Sequence, residues 1–167
     1  LPACPGFPAV RRLTTALSLF DRPASPAALS ALLDGPPIPG LSVEPGEALG
    51  NDRRRWMDAT ANLREMRLLL PPSDDEPEAL DVHPMVRDFF SQQVQQQQPD
   101  AYREANLRLL DHYLSAGVAV PNSITELTPY YAAMVHACRA GEHEQAIVRV
   151  FQPFIWQGRR WGEGHKS

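Results

Sequence analysis

The chain has 167 residues, 43% of them hydrophobic, enough apolar material for one ordinary core or two small ones. No apolar run reaches the ~18 residues of a membrane span and no basic-plus-apolar leader is present, so nothing here reads as a membrane span or a signal peptide. The formal net charge of −4 is unevenly spread: residues 1–70 carry eight Arg against seven acids, residues 71–98 six acids against Arg87 alone, and residues 99–167 seven of each, so no segment has the basic footprint of a nucleic-acid binder.

Residues 1–9 hold three Pro and one Gly and read as linker. The first residue is not Met, and the chain reads as a segment cut from a longer protein. Val10 to Phe20 predicts a short helix with Val10, Leu13, Leu17 and Phe20 on one face, stopped by Asp21-Arg22-Pro23. Ser25 followed by Pro26 is an N-cap with Pro in the first turn, and Leu29, Leu32 and Leu33 line the inner face of a second helix. Gly35-Pro36-Pro37 ends it by removing donors and helical geometry. Residues 35–51 read as a Pro/Gly-rich loop anchored by Ile38, Leu41 and Leu49. Asn51 or Asp52 then caps a third helix to about Arg67, with Trp56, Ala59, Leu63 and Met66 facing inward.

Leu68-Leu69-Leu70, the acidic stretch around Ser73 to Glu78, and the return Ala79 to Val82 predict two short strands around an eight-residue polar tip. Helix, helix, helix, strand, wing, strand is the order of a winged-helix domain, here residues 10–97. The octapeptide Leu80-Asp81-Val82-His83-Pro84-Met85-Val86-Arg87 is its most informative segment. A strand ends on His83 and runs into a helix through Pro84, with Met85, Val86, Phe89, Phe90 and Val94 as one apolar stripe. A histidine fixed by backbone on both sides suits a contact role, and helix N-termini attract phosphate. The plainer alternative is that His83 only caps the core packing. The Gln-rich run Gln92 to Gln98 reads as a solvated helix end.

Residues 98–167 read as antiparallel helical hairpins of tetratricopeptide (TPR) type. Tyr102, Asn106, Leu109, Leu110, Tyr113 and Leu114 line a helix ending at Gly117. Thr125 caps the next, with Leu127, Tyr130, Tyr131, Met134, Val135 and Cys138 inside, and Gly141 ends it before a helix from Glu142 to Trp156. In the segment Gly141 to Ala146 a turn precedes a small residue that lets two helices approach closely.

No catalytic constellation is present: GxxxxGK[ST], HExxH, GxSxG and GxGxxG are all missing. The chain therefore reads as non-enzymatic and without a metal site. Cys4 and Cys138 have no metal-ligand spacing and read as unpaired thiols of a reducing cytoplasm. His112, His136 and His143 read as exposed or hydrogen-bonded helix residues and His165 as part of a polar tail, while Glu142 and Glu144 favour a helix start. Arg53, Arg54, Arg55, Arg64 and Arg67 sit where a DNA-binding winged helix carries its recognition element. Asp74, Asp75, Glu76 and Glu78 on the wing would repel a polyanion.

Three blocks carry a family resemblance: Ala16 to Ala24 (ALSLFDRPA), Pro37 to Leu41 (PIPGL) and Leu80 to Phe90 (LDVHPMVRDFF). Pro129-Tyr130-Tyr131 and His136 to Gly141 extend it. Together they resemble bacterial STAND signalling NTPases of the NACHT/NB-ARC-like group, over a winged-helix segment and the start of the repeats. The resemblance implies a parent protein, itself an ATPase, that binds ADP or ATP with Mg in an upstream NTPase domain and closes the winged helix over ADP. Its helical repeats would take a protein or peptide ligand. It also implies that His83 matches the histidine of a Met-His-Asp motif that touches a nucleotide phosphate, with Val82 in place of Met and Pro84 in place of Asp. Two other readings stay open: a winged-helix transcription regulator, and a TPR-type adaptor that needs no nucleotide.

Overall fold

A computed structural model describes residues 7–39, 41 and 53–156. The expected cap at Asn51 or Asp52, the anchor Leu49, Cys4 and His165 lie outside these. The molecule is mainly helical and divides into two compact units, Leu1–Ala105 and Asn106–Ser167.

The first unit holds α1 (Phe7–Ser18), α2 (Pro26–Leu33), α3 (Arg53–Glu65) and α4 (Pro84–Gln97). The boundary between the units falls within α5 (Pro99–Ala116). Helix α1 begins at Phe7, inside the segment read as linker, and packs against α3 and α4 and more lightly on α2. Its face Val10, Leu13 and Leu17, with Phe20 just beyond its end, is buried as the spacing predicts. Fully burying a large apolar side chain is worth about 1.5–3 kcal/mol, so α1 anchors this core. The buried hydroxyls of α1 cost little because each returns to its own helix: Thr14 Oγ1 donates to Val10 O at 2.8 Å and Ser18 Oγ to Thr15 O at 2.7 Å. Helix α2 starts as predicted, Ser25 Oγ accepting from Ala28 N at 3.2 Å with Pro26 in the first turn.

Two apolar assignments are corrected. Met66, expected on the inner face of α3, lies in the turn after that helix and is exposed. The stripe expected along α4 is not one buried face. Val94 is buried and Val86 and Phe90 are half-buried, but Met85 is 76% exposed and Phe89 63% exposed. Val86, Phe90 and Val94, four residues apart, form the inward row, while Met85 and Phe89, one residue earlier, lie about 100° around the helix.

In place of two short strands, the described residues form only isolated antiparallel bridges, Leu69 with Val82 and Ala24 with Leu80. Pro71 and Pro72 lack the amide hydrogens a longer ladder needs, and residues 71–78 are exposed throughout. The bridges are nonetheless well bonded: Leu70 N donates to Asp81 O at 2.8 Å, His83 N to Leu68 O at 2.9 Å, and Ala24 and Leu80 exchange bonds of 2.8 and 3.0 Å.

The second unit contains the end of α5, then α6 (Ile124–Arg139), the short α7 (His143–Gln145) and a π-helix (Ala146–Ile155). The π-helix corrects the single α-helix expected from Glu142 to Trp156. Contacts cross both connections as in antiparallel hairpins. Asn106 meets His136 and Gly117 meets Tyr130 across the first, while Tyr130 stacks on Phe154 at 4.0 Å across the second. Ser123, not Thr125, caps α6. Its Oγ accepts from Glu126 N at 3.2 Å while Glu126 Oε2 accepts from Asn122 N at 2.5 Å, a reciprocal pair closely related to the capping box. The interior of α6 is also corrected: Tyr131 and Cys138 are exposed, and Tyr130, Ala132, Ala133, His136 and Ala137 are buried.

Candidate functional site

His83 is where the sequence places it, at the junction between the Leu69–Val82 bridge and α4, and it is exposed. It is the N-cap of α4, with φ −52° and ψ 136°. Its backbone N–H donates to Leu68 O, and its carbonyl accepts from Val86 N at 2.9 Å and Arg87 N at 3.0 Å. The ring takes the role usually filled by Ser, Thr, Asp or Asn, Nδ1 accepting from Met85 N at 3.3 Å. An accepting Nδ1 puts the proton of a neutral imidazole on Nε2. The cap therefore fixes the tautomer and leaves Nε2–H as the donor the ring can offer.

The amides of this helix start are a different matter. Pro84 has none, Met85 donates to the His83 ring, and Val86 and Arg87 donate to the His83 carbonyl. Phosphate sites at helix N-termini use open amides, and α4 offers none in its first turn. Any anion contact here rests on His83 Nε2 and the positive end of the helix dipole.

Arg87, one turn along α4, is the nearest strong cation in sequence, and it is engaged in structure. Its guanidinium forms an ion pair with the Asp81 carboxylate and donates from Nη1 to Asp21 O at 3.2 Å. Both partners of the ion pair are largely shielded, with side chains 18% and 20% exposed. Asp21 also pairs with Arg22 at 3.4 Å. This network ties the α1–α2 connection, the bridge segment and α4 together. The buried Arg87 Nε lacks a hydrogen-bond partner. Sequence reading gave Asp81 and Arg87 no role, because a six-residue separation across a helix start matches no local pairing rule.

The remaining histidines are dispersed. His136 is fully buried, its Nδ1 2.9 Å from Asn106 Oδ1 and its ring stacked on Tyr113 at 5.5 Å. His112 is half-buried with its ring edge-on to Tyr113, and burial lowers its pKa below the usual 6.5. His143 is exposed. Among the described residues no group of three or more His, Cys, Asp and Glu side chains could hold a metal ion, and no helix is long and apolar enough to cross a membrane. Arg64 and Arg67, candidates for a DNA-facing surface on α3, are exposed, while the side chains of Arg53, Arg54 and Arg55 lie outside the described residues. No protein-family model, curated protein or solved structure matches the chain.

Proposed function

We propose that this chain is the winged-helix segment and first repeat of a bacterial STAND-type signalling ATPase that acts in the cytoplasm. In this reading an upstream NTPase domain of the same protein holds ADP or ATP with Mg. His83 donates from Nε2 to a phosphate of ADP in the closed state. The helical hairpins receive a protein or peptide ligand, which acts through its differential affinity for the closed and open states. The segment itself is not catalytic.

The observation that carries this reading is the exposed His83 ring, oriented by its own cap so that Nε2–H is the available donor. The connectivity supports the winged-helix assignment. The residue between α1 and α2, Ala24, pairs with Leu80, and the segment after α3 pairs at Leu69 with Val82, so the return segment bridges to both. Ala137 and Ala146 in one buried cluster support the TPR-like assignment, since small residues allow the two helices to approach closely. Of the ADP site, this chain would supply His83 alone. Pro84, standing where the resembled motif has Asp, removes a helix-start amide as well as a carboxylate.

The test is ADP retention by the full-length parent after gel filtration, in the His83→Ala and His83→Asn variants. One charge-assisted hydrogen bond is worth about 1.5–3 kcal/mol, so losing it from the closed state alone shifts the closed/open equilibrium roughly 10- to 150-fold. Asn keeps a capping oxygen for the Met85 amide, so His83→Asn is expected to melt like the wild type and still release ADP. Unchanged ADP retention in both variants overturns the reading.

A further inference from the structure

We draw no further inference here: the strongest candidate, the exposed apolar side chains Met85 and Phe89 at the start of α4, carries nothing because nothing in the structure shows what covers them.

Discussion

Arg67 and Gly141 occupy the same position in the same helix-ending motif. After α3, Leu68 N donates to Leu63 O at 2.9 Å and Arg67 N to Arg64 O at 3.0 Å. After α6, Glu142 N donates to Ala137 O at 2.9 Å and Gly141 N to Cys138 O at 3.0 Å. Each is a Schellman pair of bonds, and each needs a left-handed residue, at φ 57° for Arg67 and 77° for Gly141. Only glycine adopts that conformation without a Cβ penalty, which is about 1–2 kcal/mol for other residues. In urea denaturation Arg67→Gly is therefore expected to stabilise the chain and Gly141→Ala to destabilise it, each by about 1 kcal/mol. Destabilisation by Arg67→Gly would mean that the arginine side chain holds α3 in place. Gly117 serves a different need. A Cβ there would lie 2.4 Å from Tyr130 Cζ, so this glycine makes room for a ring. That ring stacks on Phe154, and its hydroxyl donates to Val118 O. Burial pushes the Tyr130 phenol above its ordinary pKa of 10.0.

The limits of sequence reading show most clearly in α6. Large side chains at helical spacing pointed to Leu127, Tyr130, Tyr131, Met134, Val135 and Cys138. Tyr130 is buried and Leu127 and Met134 pack on the core, but Tyr131 and Cys138 are exposed, and Ala133 and Ala137, with Ala146 and Val150 opposite, complete the buried face. Alanine is a weak hydrophobic signal, so a face built on close approach is easily lost beside bulkier neighbours. The caps and stops at Ser25, Pro26 and Gly141 were legible because each is a local backbone requirement. The exposure of Phe89 was not, since it depends on which neighbours reach it. The corrected register has a direct consequence. Ala137→Leu is expected to cost about 1–3 kcal/mol by overpacking. Cys138→Ser should stay within about 0.5 kcal/mol of wild type in the same denaturation experiment. The reverse order would restore the register read from the sequence. The same hairpins set a pH dependence. Burial holds the His112 pKa below 6.5, so as pH falls below 6.5 the unfolded chain takes up a proton before the folded one does. His112 therefore costs stability on acidification and nothing above that range. Melting temperatures from pH 8 to 5 are expected to fall less steeply for His112→Gln than for the wild type; identical slopes would remove His112 from the account.

On the scale of the whole molecule, the distribution of charge bears on which use the proposed winged-helix plan would have. The position of His83 was legible because a strand pattern, a histidine and Pro84 are adjacent in sequence. The ring cap on the Met85 amide and the Asp81–Arg87 pair were not, because they depend on how the His83 and Arg87 side chains turn once the helix start has formed. A DNA-binding version of this plan would put a basic helix in the major groove and bring the wing to the phosphate backbone. Here residues 71–78 are exposed and carry Asp74, Asp75, Glu76 and Glu78 without a basic residue among them. Each phosphate contact releases counterions and gains affinity only where a cation replaces them, so this loop would oppose association. Asp58 and Glu65, both exposed on α3, offset part of the charge of its arginines. In gel shifts at about physiological salt, the chain is therefore expected to bind duplex DNA no more tightly than the non-specific range of roughly 10⁻⁴–10⁻⁶ M, with no sequence preference. Neutralising Arg53, Arg54 and Arg55 should leave that behaviour unchanged. A nanomolar, sequence-dependent complex that disappears when those three arginines are neutralised would instead make α3 a recognition helix, and the chain a transcription regulator.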